Sequence, residues 1–148
     1  MISPRVKVSA EDAALLLRGL LAVDVAQLAR IGPREVRAHR LDPISLLRDG
    51  RGRYSPVDPR EEWQTAEEMI RAVLARGAVL GDCEDWATFL AAWLRVTGID
   101  PDALPIVYPS GSGVFHVVTL TRRGVLDPSR WGGMPALEGV PQPPPSWS

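Results

Sequence analysis

Residues 81–98, with the sequence GDCEDWATFLAAWLRVTG, decide the fold, because they predict a helix with one strongly apolar face. Large apolar side chains recur along this stretch at helical spacing: Trp86, Leu90, Trp93 and Leu94. Gly98 stands where a helix-ending glycine belongs. We therefore expect a helix from Cys83 or Glu84 to about Thr97, with a cysteine at its N-terminus.

Helical patterns also fill the chain before this stretch. Apolar residues at helical spacing predict helices over residues 10–30 and 43–48. Thr65 and Glu68 match the capping box that opens a helix, and Gly77 is placed to end that helix. The first half of the molecule is therefore expected to be helical.

Three segments are predicted to connect these helices without regular structure. The pair Gly32-Pro33 ends the first helical pattern. Residues 50–60 contain two prolines and are typical of an exposed loop. Residues 78–82, AVLGD, are expected to form a second loop directly before the cysteine.

The chain changes period after the cysteine helix. Short runs rich in β-branched residues predict strands at residues 104–108 and 114–121, with a flexible loop at residues 110–113 between them. The turn at residues 122–124 leads into a third strand that begins with residues 125–127. Helices followed by hairpin-linked strands indicate an α+β domain, in which helices pack on one side of a small antiparallel sheet.

Length and composition are those of one globular domain. The chain has 148 residues, 45% of them hydrophobic, and a formal net charge of -1. We expect one domain over residues 1–138, with the N-terminal helices in residues 1–80 and the cysteine helix and sheet in residues 81–138. Residues 139–148 contain four prolines and form a tail that cannot enter a sheet or a helix interior.

The same composition excludes several classes of function. A net charge of -1 argues against broad electrostatic binding to nucleic acid or to an anionic membrane. One cysteine excludes an internal disulfide and a cysteine-cluster zinc site, and two histidines argue against a histidine-rich metal site. We therefore expect no metal site, and the cysteine chemistry considered below requires no organic cofactor. Arg18 and Asp24 interrupt the first apolar run, so neither a signal peptide nor a membrane span is expected.

Cys83 is the first candidate for chemistry. The free N–H groups and the dipole at a helix N-terminus lower a thiol pKa, which favours the nucleophilic thiolate. The neighbouring acids Asp82, Glu84 and Asp85 oppose that effect, because like charges disfavour a thiolate. The alternative is a buried, inert cysteine.

His116 and Asp127 are the second and third candidates. His116 lies in an apolar strand, and Asp127 lies in the strand joined to it by a tight turn, so their side chains are expected to meet. Each has a plainer alternative, a core histidine and a turn residue before proline. Together with Cys83 they form one chemical set, in which Asp127 orients the imidazole, the imidazole deprotonates the thiol and the thiolate attacks a carbonyl.

Three sequence blocks resemble the transglutaminase-like superfamily of papain-type cysteine enzymes, in that family's order. The blocks are Gly81-Asp82-Cys83-Glu84-Asp85-Trp86-Ala87, His116-Val117-Val118 and Leu126-Asp127-Pro128-Ser129. The resemblance implies a papain-like core for residues 1–138 and a central helix that begins at the nucleophile Cys83. It implies His116 as general base and acid, and Asp127 as the partner that orients it. The chain departs from the family in its small size, its short connection from histidine to aspartate and its lack of an aromatic residue before the third block.

The remaining site candidates are less specific. Trp63-Gln64-Thr65 also resembles the approach to the nucleophile in bacterial and phage members of the family. The Gln64 amide or the Trp63 indole is therefore our candidate for the second oxyanion donor, and the alternative is a core Trp63 and a surface Gln64. Tyr108 and Trp131 are candidates for lining a substrate cleft, with residues 110–113 as a lid or an ordinary hairpin loop.

The family resemblance leaves two functions open. The first is a peptidase, amidase or acyltransferase that forms a thioester with a protein or a cell-wall peptide. The second is a structural protein of a phage virion or tail, with the triad auxiliary or vestigial and the proline-rich tail docked on other subunits. The expected location is the cytoplasm, or a virion into which the protein is incorporated.

Overall fold

The computed structural model describes residues 10–56, 63–109 and 115–135. Six helices occur in this part of the chain: α1 (Ala10–Ile31), α2 (Pro33–Ala38), α3 (Pro43–Arg48), α4 (Ala66–Arg76), α5 (Cys83–Val96) and α6 (Pro128–Trp131). Five strands accompany them: β1 (Gly52–Tyr54), β2 (Val79–Gly81), β3 (Leu104–Pro109), β4 (Phe115–Thr121) and β5 (Gly124–Leu126). The protein is therefore a mixed α+β structure, as predicted.

The main sheet is antiparallel and has the order β3-β4-β5. Tyr108 lies opposite His116 in the first pair of strands, and Thr119 lies opposite Leu126 in the second. Helix α5 packs on β4 and α1 packs on both α5 and β3, so the two longest helices lie against the sheet. The prediction of helices packed on a small antiparallel sheet is confirmed for the described residues.

Helix α5 forms the centre of the core, and the predicted helix over this stretch is confirmed. Its largest fully buried side chains are Trp86 and Phe89, whose rings stack with centroids 6.3 Å apart. Every residue from Asp85 to Leu94 is buried, so this helix has no solvent-exposed face over most of its length. Such burial on all sides is typical of a helix that other elements surround.

The predicted caps of α4 are also confirmed. The Thr65 hydroxyl accepts the backbone N–H of Glu68, and the Glu68 carboxylate accepts the backbone N–H of Thr65, both at 3.2 Å. Gly77 ends the helix with φ of 81°, in the left-handed region that glycine adopts without strain.

The two predicted loops were each wrong at three residues, which form short strands. Gly52–Tyr54 and Val79–Gly81 are β1 and β2, and they pair in parallel with Tyr54 opposite Gly81. The two strands lie over the Trp86 ring, whose Nε1–H donates to the carbonyl of Arg53 at 3.1 Å. Each strand has only three residues, too few for an alternating pattern to be read in the sequence.

Two short helices were also missed. Helix α2 begins at Pro33, where the sequence indicated only the end of the first helix. Helix α6 begins at Pro128, where the sequence indicated a strand that continues. A proline at the first helical position needs no N–H partner, and its fixed φ suits a helix. Each proline is therefore the first residue of a helix.

Asp24 on α1 is a buried carboxyl group whose partner is the N-terminus of α4. Its Oδ1 accepts the N–H of Ala66 at 2.8 Å, whereas its Oδ2 has no hydrogen-bond partner among the described residues. Burial raises the pKa of Asp24 to about 7, opposed by the Ala66 bond and assisted by the charge of Glu68.

We predict that Asp24→Asn flattens the pH dependence of stability. Because the folded pKa of Asp24 lies above the ordinary value of 3.8, its contribution is fully present below pH 4 and is lost as pH rises through about 7. Urea unfolding measures how much unfolding free energy is lost between pH 5 and pH 8. We expect this loss to be about 2–3 kcal/mol smaller in the variant than in the wild type. Asp42→Asn, which replaces the N-cap of α3, is the control and should keep this part of the slope. Equal slopes in Asp24→Asn and the wild type would contradict the assignment.

Several expectations lie outside the described residues. They are the remainder of the loop at residues 57–60, the loop at residues 110–113, the first residue of the predicted strand 114–121, and the tail at residues 139–148.

Candidate active site

Cys83 is the first residue of α5 and lies beneath a cover of apolar side chains. Asp82 is the N-cap, and the backbone N–H groups of Asp82 and Asp85 are each accepted by the carboxylate of the other residue. Cys83 itself is only 6% exposed. It belongs to a cluster with these residues: Leu17, Leu20, Trp63, Ala87 and Val117. A substrate therefore reaches the thiol only if part of this cover moves.

The resting thiol of Cys83 is protonated at neutral pH. Burial raises its pKa well above the ordinary value, and the charges of Glu84 and Asp82 raise it further. The backbone N–H of Val117 donates to the sulfur and works against these effects. The sequence had indicated two opposing effects on this pKa, the helix N-terminus and the neighbouring acids. The structure adds burial, which is the largest effect.

The carboxyl groups beside Cys83 are held in a low-polarity environment as well. Burial raises the pKa of Glu84, and a hydrogen bond with Asp82 raises it further. Burial also raises the pKa of Asp85, although the N–H groups of Gln64 and Asp82 that donate to it act in the opposite direction. At least part of this acidic cluster is therefore uncharged near neutral pH.

His116 and Asp127 form a buried pair. The His116 Nε2 lies 2.8 Å from the Asp127 Oδ2, and the two side chains are 3% and 0% exposed. Because β5 ends at Leu126, opposite Thr119, the following Asp127 reaches the part of β4 that carries His116. The expected contact between these two side chains is present.

Cys83 contacts β4 one residue after His116. The bond to Asp127 uses Nε2, so it leaves Nδ1 of the ring for another partner. The N–H that donates to the Cys83 sulfur belongs to Val117, the residue directly after His116. Asp127 Oδ1 has no hydrogen-bond partner among the described residues, so the bond from Oδ2 to His116 is what holds this carboxyl group in place.

Gln64 binds the segment on either side of Cys83. Its Nε2 donates to the carbonyl of Leu80 at 2.8 Å and to the Asp85 carboxylate at 3.1 Å, and its backbone N–H donates to Asp85 at 2.7 Å. Both amide protons are therefore engaged within the protein. Trp63 is 6% exposed and packs in the Cys83 cluster.

The two cleft candidates lie in different surroundings. Tyr108 is partly buried and directly opposite His116 in the β3–β4 pair, so their side chains share one face of the sheet. Trp131 is partly buried and packs against the main hydrophobic core below α5. Of the two, Tyr108 is the one beside the His116–Asp127 pair.

Sequence reasoning missed Tyr54. It ends β1, packs against the Cys83 cluster and is only partly buried. Burial raises the pKa of Tyr54 to about 12, and the charges of Cys83, Asp82, Glu84 and Asp127 raise it in that order. The residues around Tyr54 in the sequence indicated an exposed loop, and no local pattern among them marks the position of Tyr54.

Two features that other functions require are missing from the described residues. No group of three or more histidine, cysteine, aspartate or glutamate side chains is arranged to hold a metal ion in residues 10–56, 63–109 and 115–135. Along the same part of the chain, every helix is too short or too polar to span a bilayer. Comparisons with protein-family models, with curated proteins and with solved structures find no significant match to this chain.

Proposed function

We propose that the protein is a cysteine-dependent peptidase, amidase or acyltransferase on a papain-like, transglutaminase-like core. The observation that supports this most is the buried His116–Asp127 pair, whose Nε2 and Oδ2 atoms lie 2.8 Å apart. Val117, the residue after His116 on β4, donates its backbone N–H to the Cys83 sulfur. A buried imidazole held by a carboxylate beside a thiol at a helix N-terminus is the arrangement that nucleophilic catalysis needs.

The first step is acylation of Cys83. Its sulfur attacks the carbonyl carbon of a carboxamide or peptide bond, and the C=O π electrons move onto the oxygen. Because the resting thiol is protonated, Nδ1 of His116 takes that proton as the C–S bond forms. The carboxylate of Asp127 keeps the ring oriented and stabilises the imidazolium. The C–N bond then breaks, and His116 gives the proton to the leaving amine.

The second step regenerates the enzyme. Water or an amine attacks the thioester carbonyl, and His116 takes a proton from that nucleophile. The C–S bond breaks and the sulfur leaves with the proton returned through His116. Water gives hydrolysis and an amine gives acyl transfer. The substrate class that fits this chemistry is a protein or a peptide such as a cell-wall crosslink.

The test is acylation of Cys83 by a p-nitrophenyl ester, followed by intact-mass measurement. We expect the wild type to be acylated, Cys83→Ala to stay unmodified and His116→Ala to react about 10²–10⁴-fold more slowly. His39→Ala is the matched control, because His39 is the other histidine and lies exposed beside Glu35 on α2. Its rate should equal that of the wild type. Equal rates in His116→Ala and the wild type would show an ordinary thiol and contradict the proposal.

The cover over Cys83 favours a second candidate. A thiol that is 6% exposed, with a raised pKa, suits a protein that uses the same fold within a phage or bacterial assembly. In that case Cys83 stays unacylated in the folded wild-type protein, and Cys83→Ala supports the same assembly as the wild type. The acylation experiment therefore distinguishes the two candidates.

A further inference from the structure

We propose that the Tyr54 hydroxyl is the second hydrogen-bond donor to the oxyanion that forms when Cys83 attacks a carbonyl. This inference rests on the proposed function and names a catalytic residue that the triad does not include. The first donor is the backbone N–H of Cys83, as is usual for a nucleophile at a helix N-terminus.

The backbone of Tyr54 is tied to both halves of the site. It lies opposite Gly81 in the parallel β1–β2 pair, two residues before the nucleophile, and the N–H of Ser55 donates to the carbonyl of Gly81 at 2.9 Å. The N–H of Tyr54 donates to the carbonyl of Gly132, also at 2.9 Å, in the segment that follows Asp127. Tyr54 is therefore fixed between the chain that leads to Cys83 and the chain that leaves Asp127.

Close packing against Gly132 fixes the position of the Tyr54 backbone. A Cβ atom added to Gly132 would lie 2.7 Å from the backbone nitrogen of Tyr54, so the two segments approach as closely as a glycine allows. The Tyr54 ring packs against the cluster that contains Cys83 and Val117. Since Tyr54 is only partly buried, its side chain can contact both the protein interior and a bound substrate.

Burial is the main reason that the Tyr54 phenol keeps its proton. The acidic groups Cys83, Asp82, Glu84 and Asp127 add to this effect, and together they raise the pKa of Tyr54 to about 12. A neutral phenol surrounded by acids is a hydrogen-bond donor across the pH range in which enzymes work.

The Gln64 amide, the donor suggested by the sequence, already donates its protons within the protein. Both protons of the Gln64 amide are donated, to the Leu80 carbonyl and to the Asp85 carboxylate. Using Gln64 for an oxyanion would break bonds that hold the approach to Cys83. The Tyr54 hydroxyl can donate to an oxyanion without breaking the bonds of Gln64.

The role of Tyr54 involves no proton transfer. As the C–S bond forms, the carbonyl π electrons move onto the oxygen, and the Tyr54 O–H donates a hydrogen bond to that oxygen. When the tetrahedral intermediate collapses, the C=O bond re-forms and the hydrogen bond weakens. Removal of one such donor from other enzymes lowers kcat by about 10²–10³-fold.

The experiment compares Tyr54→Phe with the wild type in two reactions of Cys83. Acylation by a p-nitrophenyl ester passes through an oxyanion, whereas alkylation by iodoacetamide is a displacement at carbon that forms none. We expect Tyr54→Phe to lower the acylation kcat about 10²-fold with KM within about 3-fold, and to leave the alkylation rate within about 3-fold. Tyr54→Leu removes the ring as well and reports the effect of packing.

The remaining outcomes overturn the inference. Equal loss in both reactions of Tyr54→Phe would show that the hydroxyl acts on the thiol, and no loss in either would show that it takes no part. If the wild type itself is not acylated at Cys83, the proposed function fails and this inference fails with it.

A second measurement does not depend on a variant that folds. 3-Fluorotyrosine replaces both tyrosines, Tyr54 and Tyr108, and ¹⁹F NMR follows the two resonances. A peptide aldehyde that forms a hemithioacetal on Cys83 should shift the Tyr54 resonance, whereas alkylation by iodoacetamide should not. An unchanged Tyr54 resonance in the aldehyde adduct would also contradict the role.

Discussion

Under the proposed function, replacing Asp127 with asparagine is expected to lower kcat for acyl transfer from Cys83 by about 10³–10⁴-fold. Asparagine has the shape of aspartate, so the side chain still fits beside His116 in its fully buried position. Its amide can donate to Nε2, which moves the ring proton to Nδ1 and leaves that nitrogen unable to accept the thiol proton. The lost charge also removes the stabilisation of the imidazolium.

The control for Asp127→Asn is Asp100→Asn. Asp100 is another buried aspartate, and its carboxylate accepts the backbone N–H groups of Arg122 and Asp102 at the far end of the sheet. We expect Asp100→Asn to keep the wild-type kcat. Steady-state kinetics with an ester or amide substrate provide the measurement, with circular dichroism to verify folding. A folded Asp127→Asn variant within about 10-fold of the wild-type kcat would show that His116 works without its carboxylate.

The second large effect is expected from Gly52→Ala, which should lower the free energy of unfolding by about 3 kcal/mol. A Cβ atom at this position would lie 2.3 Å from Cη2 of Trp86 and 2.8 Å from its Cζ2. The Trp86 ring has no room to retreat, because it is fully buried, stacks on Phe89 and donates its N–H to the Arg53 carbonyl. The added methyl must therefore push β1 outward.

Urea unfolding tests this expectation against Gly19→Ala. Gly19 lies on the exposed side of α1 with nothing within 4 Å of an added Cβ, so the same substitution should stabilise the protein by up to about 1 kcal/mol. Gly52→Ala should therefore lower the free energy of unfolding, and Gly19→Ala should raise it. A Gly52→Ala variant within about 1 kcal/mol of the wild type would mean that the Trp86 ring is free to shift.

Local signals in the sequence predict the parts of the fold that local physics determines. The Thr65 capping box, the Gly77 end and the helix at Cys83 each depend on residues a few positions apart. The His116–Asp127 contact was also predictable, because a tight turn connects two neighbouring strands and fixes which residues meet.

The parts that escaped prediction depend on residues distant in the chain. Gly52 must be glycine because the Trp86 ring lies against it, and no pattern near residue 52 reveals that contact. The position of Tyr54 depends on its pairing with Gly81 and Gly132. The cover over Cys83 comes from Leu17 and Leu20 on α1, so the raised pKa of the thiol follows from tertiary packing.

The backbone bond from Tyr54 to Gly132 has a consequence for the nascent chain. At synthesis rates of about 5–20 residues per second, the ribosome needs on the order of 4–16 seconds to extend the chain from Tyr54 to Gly132. During that time the cysteine is made before His116, Asp127 and the glycine that anchors the tyrosine. Under the proposed function, a newly made Cys83 therefore exists for seconds without the histidine that would take its proton.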